Sequence, residues 1–530
     1  MKFIKARLGA GIAIVIAGSL AVAGCTSAPP AEEGERVYVK WVTAGDPMNT
    51  GLNAQFASGL SATTFSSQIL EPLIFASGDG ELSPGLARSW VLSEDGTSLA
   101  LEIREGAAWH DGEPFTPEDV KFNFEEIVPL SIYGASLGER IDSVDVDGNT
   151  VTIELTDTYG PLLETIAEQY LLPKHLYEGT DYVTNPANYE EITGTGPMMF
   201  GSYEPGVEVV LIKNPDYWGG EVQVDRAIFA QIVDINTRTE ALFAGELDEA
   251  QVPASALERV AASENLALAT EGYYPSLIHM FFNTERPQLS DPEVRRAVYA
   301  ALDVDEMIEK ALYGVGGEAA NGFFPDAYGW ARSDRVDFSK EFPRDLDAIG
   351  EALDEAGYPI GADGKRFTLD VRFVGSLEDL VAIGGLMESQ LSEVGVGVNI
   401  LATSASIYQE AVYTTGEYDL ALTRVTLGPD PAVGLTRWFA CNESRALGAN
   451  PTGLCDAEID RRLDSALSTI DRDERADEYQ RVQERAEELM FYVPLAWYYN
   501  NNPVVNHLRW EGTAPQEYRD RLSWLTMSPK

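Results

Sequence analysis

The sequence predicts an α/β protein made of several lobes. Segments with strand and helix patterns alternate along the whole chain, and no repeat interrupts them. With 530 residues, the chain is far longer than a single minimal domain requires. Hydrophobic residues make up 45% of the composition, which is enough for more than one buried core.

The first half of the chain contains predicted elements with clear start and stop signals. Residues 36–44 (RVYVKWVTA) alternate between apolar and polar types, as strand residues do. Thr116 can cap a helix, and Pro117 and the acidic residues after it suit the first turn of that helix. Residues 141–157 predict a hairpin, because Asp-Gly-Asn separates two alternating runs. A later short helix is expected to end at Gly245.

The second half continues the alternation of helices and strands. Residues 291–314 have helical periodicity and end at a glycine. Residues 367–375 and 418–426 predict strands, and a helix follows the first of them. Residues 471–490 predict a strongly amphipathic helix, with apolar residues at spacings of three and four. The chain then returns to a strand pattern in residues 491–506.

The N-terminus has the pattern of a secretory signal. Three basic residues precede an apolar run over residues 8–23, which is shorter than the about 20 residues of a membrane span. The run ends in VAGC (22–25), which resembles a bacterial lipobox, where cleavage precedes a lipidated cysteine. We therefore expect a signal peptide (1–24), lipidation of Cys25 and a tether (25–35), which hold the protein on the extracytoplasmic face of the cell membrane. An ordinary signal with an incidental cysteine is the alternative.

The chain is strongly acidic, with a formal net charge of −47. This charge disfavours nucleic acid as a partner, because phosphates are bound by Lys and Arg. Solubility outside the cell is the simpler explanation of the charge, and it identifies no substrate. After the signal, no second long apolar run occurs, so the sequence predicts no other membrane span.

The remaining two cysteines, Cys441 and Cys455, predict a disulfide. They lie 14 residues apart with Gly and Pro between them, and an exported protein meets oxidising conditions. Two free thiols are the alternative. A zinc site lacks nearby His or further Cys ligands, so we expect no metal at these residues.

The sequence offers little evidence for catalysis. GASLG (134–138) fits the Gly-x-Ser-x-Gly motif, with Ser136 as the nucleophile of a secreted serine hydrolase. That motif requires a buried strand before the serine, whereas a predicted helix precedes it here. The four histidines form no His-Glu-x-x-His pattern. We therefore expect no enzyme, no catalytic residue and no cofactor, and we keep the hydrolase as a remote alternative.

Several motifs in order resemble one family of binding proteins. They are LARSWVLSEDGTSLALEIREGAAWHDGEPFTPEDVKFNFE (86–125), GTGPMMFGSYEPGVEVVLIKNPDYWGG (194–220), ALFAGELDEA (241–250) and FFNTERPQLSDPEVRRAVYAALDVDEMIEKAL (281–312). Together they are similar to the family 5 extracellular solute-binding proteins, the peptide- and nickel-type receptors of ABC importers. The resemblance covers residues 36–525, so it implies the architecture of nearly the whole chain.

The resemblance implies a type II periplasmic-binding-protein fold of the cluster C kind. Two lobes close over a ligand, and an extra subdomain enlarges the N-terminal lobe. The chain is expected to cross between the lobes near residues 271–280 and 493–501. The expected parts are lobe I (36–70, 191–272 and 496–530), the extra subdomain (71–190) and lobe II (273–495). Such a protein acts as a monomeric receptor that hands its solute to the permease subunits of an ABC transporter.

The stretch YDLALTRVTLGPDPAVGLTRWFAC (418–441) resembles the dipeptide-binding branch of the family. In that branch, the aspartate matching Asp430 pairs with the α-amino group of the ligand, a charge-assisted bond that is strong in a dry cleft. A purely structural aspartate that opens the turn before Pro431 is the alternative. Gly428 belongs to the same loop, and Arg424 and Arg437 are candidates for a ligand carboxylate, because guanidinium binds carboxylates in a fork. A surface or scaffold arginine is the alternative for each.

The N-terminal edge of the cleft is expected to hold the ligand through its backbone. The residues concerned are Gly59, Leu60, Ser61, Ala62 and Thr63. Their N–H and C=O groups would pair with an extended peptide of any sequence, because strand addition uses the main chain. A solvated loop before the following helix is the alternative. A di- or oligopeptide is therefore the expected solute. A nickel chelate, an oligosaccharide and an opine-like compound are alternatives for the same receptor, and a sensor or chaperone-like role is an alternative for the fold.

Overall fold

The computed structural model describes residues 34–41, 52–56, 66–77, 81–189, 191–268, 276–314, 317–498, 504–511 and 523–530. The predicted signal, Cys25 and the ligand edge from Gly59 to Thr63 lie outside these residues. Within the described ranges, none of the helices combines the length and apolar character that crossing a membrane requires.

The strands belong to three larger sheets and two small ones. Numbered in chain order, they are β1 Val37–Trp41, β2 Ile74–Ala76, β3 Leu82–Pro84, β4 Ala87–Leu92, β5 Ser98–Ile103, β6 Ile141–Asp147, β7 Thr150–Leu155, β8 Met198–Glu204, β9 Glu208–Lys213, β10 Arg226–Ala230, β11 Glu249–Gln251, β12 Leu266–Leu268, β13 Ser276–Phe282, β14 Gly317–Ala319, β15 Phe367–Val374, β16 Val396–Thr403, β17 Leu420–Thr426, β18 Tyr492–Tyr498, β19 Val504–His507, β20 Trp510–Glu511 and β21 Ser528–Pro529.

The helices lie between the strands throughout the described chain. They are α1 Pro117–Phe122, α2 Ala135–Gly138, α3 Leu162–Ala167, α4 Lys174–Tyr177, α5 Ile235–Ala244, α6 Leu257–Ala261, α7 Pro292–Ala300, α8 Val304–Ala311, α9 Phe338–Glu341, α10 Leu346–Glu355, α11 Glu378–Ser392, α12 Ala405–Gln409, α13 Ala457–Leu467, α14 Arg472–Leu489 and α15 Ser523–Thr526. Shorter 3₁₀ and π turns extend several of them, for example after α1 and α12.

The first sheet has the strand order β12-β19-β11-β1-β10-β9-β8. β1 runs parallel to β10 and β11, and the other pairs are antiparallel. Strands from both ends of the chain therefore meet in one sheet. Apolar residues from β1, β8, β9 and β10 share a core with residues near the C-terminus, including Trp510 and Trp524.

The second sheet has the order β14-β18-β13-β17-β15-β16. β13 is central, and all seven of its side chains are buried, which explains its continuous apolar sequence SLIHMFF. The core on this sheet draws only on residues from Leu277 to Trp497. The chain passes from the first sheet to the second between residues 268 and 276, and returns between residues 498 and 504.

The third sheet is the antiparallel set β4-β5-β7-β6, built from residues 87–155 alone. Its core, from Leu73 to Leu171, is separate from the cores of the other two sheets. The buried carboxylate of Glu71 fixes the base of this part, because it accepts hydrogen bonds from Thr195, Tyr217 and Trp218 at 2.7–2.8 Å. The predicted division into an extra subdomain (71–190) and lobe II (273–495) remains a prediction.

Local signals in the sequence account for most helix ends. α5 ends at Gly245, which adopts the left-handed conformation with φ of 76° that favours glycine. The pattern over 291–314 predicts one helix, but the structure divides it into α7 and α8. The division falls at Asp303, whose side chain caps α8 by accepting a hydrogen bond from the backbone of Glu306 at 2.9 Å.

Candidate functional site

The loop that follows β17 lies at the end of the second sheet nearest to the first. Thr426, the last residue of β17, pairs with Ser276, where the chain enters the second sheet. The loop closes on itself, because Gly428 N–H donates to the carbonyl of Val433 at 3.0 Å. The hydroxyl of Tyr328 donates to the carbonyl of Gly428 at 2.6 Å. A Cβ at residue 428 would lie 2.3 Å from the Val433 oxygen, so this loop requires glycine there.

Asp430, which is predicted to bind the amino group of a ligand, is almost completely buried in this loop, with 2% of its surface exposed. Nη2 of Arg475 donates to both carboxylate oxygens, at 2.6 and 2.7 Å. The carboxylate also accepts a hydrogen bond from the backbone of Ala432 at 2.9 Å, which shapes the turn. The carboxylate thus has a cationic partner within the protein, and its predicted contact with a ligand amine remains a prediction.

The Asp430–Arg475 pair lies at a contact between two parts of the molecule, one built on the third sheet and the other on the second. Nη1 of Arg475 is 3.4 Å from the carbonyl of Gly160, and Gly160 N–H donates to the carbonyl of Leu467 at 2.7 Å. Burial, and secondly the charge of Asp430, raise the pKa of Glu164 on α3 to about 7. Two acids and one arginine therefore share this contact between two parts of the molecule.

Arg424 on β17 is already paired with a carboxylate. Its Nη1 lies 3.4 Å from Oδ2 of Asp379 on α11, whose side chain is only 1% exposed. Among the residues that the structure describes, neither oxygen of Asp379 has a hydrogen-bond partner, and Arg424 is the cation beside this buried charge. In the structure, Arg424 therefore pairs with a buried carboxylate of the protein itself. Its contact with a ligand carboxylate remains a prediction.

Arg437, the second arginine predicted to bind a ligand carboxylate, differs from Arg424 in its contacts. It lies in the 3₁₀ turn Thr436–Trp438, and its guanidinium carbon is 4.7 Å from the centre of the Trp438 ring. Among the described residues it forms no salt bridge. Its buried Nε finds no hydrogen-bond partner within the described ranges either. Of the two arginines flanking Asp430, Arg437 is therefore the one whose charge the described protein leaves unpaired.

The Cys441 and Cys455 side chains are paired in the structure, with their Cα atoms 4.5 Å apart, a separation that suits a disulfide. Glu443 is close to both sulfurs, and these three residues form the one metal-type grouping found within the described ranges. Cysteines bonded to each other do not supply thiolate ligands, so this grouping does not suit a metal.

Ser136 has no catalytic surroundings. It lies in the short helix α2, which follows helical turns and not a buried strand. Nη1 of Arg140 donates to its hydroxyl at 3.0 Å in an exposed position. The strand–serine–helix arrangement of a nucleophile elbow is therefore missing, and the hydrolase alternative is wrong.

Sequence reasoning missed Arg475 and Glu164. A signal for Arg475 exists, because it precedes Tyr479 by four residues and so shares the buried face of α14 with it. A cation on an apolar face needs a buried partner. Glu164 has no comparable signal, since its distant neighbours in the sequence create its surroundings.

Comparisons with known proteins agree with this architecture. A family model described as bacterial extracellular solute-binding proteins, family 5 middle, matches residues 81–446. A putative ABC transporter peptide-binding protein of Brucella ovis is 28% identical over 433 residues, covering 78% of each chain. Heme-binding protein A of Haemophilus influenzae is 26% identical over 474 residues (84% of each), and the nickel-binding periplasmic protein of Escherichia coli is 25% identical over 491 residues (87% of this chain, 89% of that protein).

Solved structures with the same fold hold different ligands. The dipeptide-binding protein of Pseudoalteromonas sp. SM9913 with Met-Leu has a TM-score of 0.79 and 22% identity, covering 93% of this chain and 100% of that one. The oligopeptide-binding protein AppA of Bacillus subtilis with a nonapeptide has a TM-score of 0.78 and 22% identity (94% and 99%). NikZ of Campylobacter jejuni with Ni(L-His) has a TM-score of 0.77 and 22% identity (91% and 95%). This likeness confirms the predicted two-lobed fold.

Proposed function

Because the chain belongs to the bacterial extracellular solute-binding proteins of family 5, we propose that it is the receptor of an ABC importer for di- or oligopeptides. It captures the peptide by closure of the two lobes and delivers it to the permease subunits. The family consists of binding proteins, so the chain is a receptor and not an enzyme.

One observation carries the choice of a peptide. The stretch after β17 presents a carboxylate at Asp430 and, seven residues later, an unpaired guanidinium at Arg437. A peptide carries the complementary pair of charges, an amine at one end and a carboxylate at the other. Peptide-binding proteins are among the relatives at 28% identity, which supports the same choice.

Asp430 would bind the amine of the ligand while it keeps Arg475 as its partner. In the structure, both carboxylate oxygens face Nη2 of Arg475, and a carboxylate has further lone pairs that can accept from an ammonium group. Arg475 then holds the carboxylate in its orientation while the ligand adds a second charge-assisted bond. Gly428 sets the loop shape, and the edge from Gly59 to Thr63 would pair with the peptide backbone.

The remaining parts of the proposal concern the location of the receptor. Cleavage before Cys25 and lipidation of that cysteine would tether a monomeric receptor to the extracytoplasmic face of the membrane, close to the permease. The pairing of Cys441 with Cys455 supports a disulfide, which such a location permits.

Native mass spectrometry of the mature protein, extracted in detergent without added ligand, is the first experiment. A spread of added masses that dissociates into short peptides on denaturation is the expected result. One discrete non-peptide mass, such as a metal chelate or a heme, would replace the peptide but keep the receptor role. A protein that binds neither peptides nor those compounds would contradict the receptor proposal itself.

The role of Asp430 is tested by comparing peptides with free and N-acetylated amino termini. The parent should bind the free form at least tenfold more tightly, and Asp430→Asn should lose this preference. Asp477→Asn, at an exposed site on α14, is the matched control and should keep it. Equal preference in Asp430→Asn and the parent would contradict the proposed role, whatever the effect on stability.

A further inference from the structure

The part of the molecule built on the second sheet (residues 276–498) is joined to the rest by two chain crossings that lie side by side. Ser276, where the chain enters this part, pairs with Tyr498, where it leaves. The part built on the third sheet is instead fixed to the first sheet, because Glu71 accepts hydrogen bonds from residues just before β8 and just after β9. A contact between the third-sheet part and the second-sheet part therefore links two bodies across the predicted crossings.

One such contact joins the segment 158–164 to the turn between α13 and α14, and we call it the interlobe contact. Gly160 N–H donates to the carbonyl of Leu467 at 2.7 Å. The side chain of Leu467 packs on the core of the third sheet. The fit is also close at Gly96, in the turn between β4 and β5, where an added Cβ would lie 2.6 Å from Cγ2 of Ile470. Backbone and apolar side chains of the two parts thus fit directly against each other.

Charged side chains from both parts meet at the interlobe contact. Nη1 of Arg475, the partner of Asp430, is 3.4 Å from the carbonyl of Gly160. Glu164 lies on α3, and the charges of Asp430, Arg475 and Arg472 all act on it. The guanidinium of Arg472 is 4.6 Å from the centre of the Trp330 ring. The other titratable groups beside the Asp430–Arg475 pair are two tyrosines whose pKa is raised by burial, so that they stay neutral: Tyr159 and Tyr479.

The protonation of Glu164 affects how well the two parts fit together. Burial in the contact and the negative charge of Asp430 raise the pKa of Glu164 from 4.5 to about 7. When the two parts separate, water reaches Glu164 and Asp430 moves away from it, so the pKa returns toward its ordinary value. The closed arrangement therefore holds a proton that the open arrangement releases.

We propose that the interlobe contact is a latch that holds the two lobes closed, and that a proton on Glu164 strengthens it. The inference rests on the lobe closure of the proposed function and adds a control by pH. Closure should weaken as the pH rises from 6 to 8, because an ionised Glu164 is better solvated in the open arrangement. Asp430 belongs both to the loop after β17 and to the latch, so Arg475 couples the occupancy of that loop to closure.

Hydrogen exchange tests the latch on the mature protein, freed of co-purified solute by denaturation and refolding. Fragments covering 158–164 and 466–471 are followed at pH 6 and pH 8, with rates corrected for the intrinsic effect of pH. In the parent, protection of the Gly160 amide should fall by about tenfold between these values, because the closed state binds one proton more tightly. Protection of the central strand β13 should not change.

Glu164→Gln should keep at pH 8 the protection that the parent shows at pH 6, since glutamine stays neutral. Glu487→Gln, on α14, is the matched control, because burial and the charge of Glu341 likewise raise the pKa of Glu487 to about 7 among a different set of groups. It should follow the parent at both pH values. Protection of Gly160 that is independent of pH in the parent, or that falls equally in Glu164→Gln, would overturn the latch.

Spin labels distinguish separation of the two parts from local loosening. Val91→Cys on the third-sheet part and Leu447→Cys on the second-sheet part are suitable sites, because their side chains are 70% and 64% exposed. A longer distance between the labels should gain population at pH 8, and Glu164→Gln should suppress this gain. One unchanged distance at both pH values would mean that the parts do not separate, which overturns the latch.

Failure of the latch and failure of the proposed function have different signatures. A protein that retains peptides, but whose interlobe contact does not respond to pH, overturns the latch alone. A protein that opens with pH as described, but binds no peptide, contradicts only the choice of a peptide as solute and supports the latch.

Discussion

Asp430 and Arg437 lie on the same stretch after β17, but only Asp430 has a partner of opposite charge among the described residues. Asp430 is buried against Arg475 at 2.6 and 2.7 Å, and a backbone N–H completes its hydrogen bonds. Arg437 has no carboxylate partner among the described residues, and its Nε is buried without an acceptor. The buried pair stabilises the fold and leaves Asp430 only its remaining lone pairs for a ligand, whereas the charge of Arg437 has no such partner. The two residues therefore differ in how much of their bonding capacity the fold already uses.

The largest effect is expected for Arg475→Met. It would leave the carboxylate of Asp430 buried without its cation and should lower the free energy of unfolding by about 3–5 kcal/mol. Urea denaturation measures this change. Arg481→Met on the same helix removes an exposed ion pair with Asp477 and should cost less than about 1 kcal/mol. Similar small losses in both variants would mean that the Asp430 pair is no more structural than a surface pair.

A smaller effect on stability is expected from a substitution at Gly160, where this pair contacts the part of the molecule that is built on the third sheet. A Cβ at residue 160 would lie 2.3 Å from the carbonyl oxygen of Thr469, and backbone cannot give way cheaply. Gly160→Ala should therefore cost about 1–3 kcal/mol and raise hydrogen exchange at this contact. Gly329→Ala is the control, since no heavy atom lies within 4 Å of its Cβ position. Unchanged stability and exchange in Gly160→Ala would show that the two parts do not pack as described.

The third prediction concerns pH. The pKa of Glu164 is raised from 4.5 to about 7 by burial and by Asp430, so the folded state binds a proton more tightly than the unfolded state. Its contribution to stability is fully present below about pH 4.5 and is lost as the pH rises through about 7. Glu164→Gln should remove this loss, leaving the variant about 1–3 kcal/mol better relative to the parent at pH 8 than at pH 5.

Denaturant unfolding at several pH values measures this difference. Glu178→Gln, at an exposed helix position with a side chain 64% exposed, is the control and should follow the parent at every pH. If the stability of Glu164→Gln depends on pH as that of the parent does, Glu164 is ionised in the folded protein. Two negative charges then lie at the contact around Asp430.

The smallest effect is expected for Arg437→Met in the absence of ligand. This change removes no ion pair and loses only the contact of the guanidinium with Trp438, which suggests a change within about 1 kcal/mol. Thermal or urea unfolding of the ligand-free protein measures it. A loss of several kcal/mol would reveal a hidden partner for Arg437 and would remove the contrast with Asp430.

The sequence predicted elements whose signals are local. The range 471–490 matches α14 (Arg472–Leu489), because a capping aspartate and a regular apolar spacing define both of its ends. The hairpin of β6 and β7 is confirmed for the same reason, with Gly148 in its turn at φ of 60°. Asp303 was a comparable cap inside the range 291–314, and reading it as a start signal would have predicted the division of α7 from α8.

The sequence could not predict which side chains pair with the charged residues of the candidate site. The partner of Asp430 is 45 residues away, and that of Arg424 is 45 residues away in the other direction. Both arginines near Asp430 look equivalent in sequence, since guanidinium chemistry alone does not reveal which one has a buried carboxylate beside it. The family resemblance supplied the loop and its fold, but pairing depends on packing between distant segments.

The order of the strands has a consequence for the way this chain acquires its structure. The third sheet uses strands within residues 87–155 and the second uses strands within residues 276–498, so each is assembled from one continuous stretch of the chain. The first sheet needs β19, at residues 504–507, to join β11 with β12. This sheet therefore joins strands from distant parts of the chain and cannot be completed until residues 504–507 pair with it. Deleting β19 would separate β12 from β11 and expose the backbone groups of both strands, which makes this late strand the one that holds the edge of the sheet together.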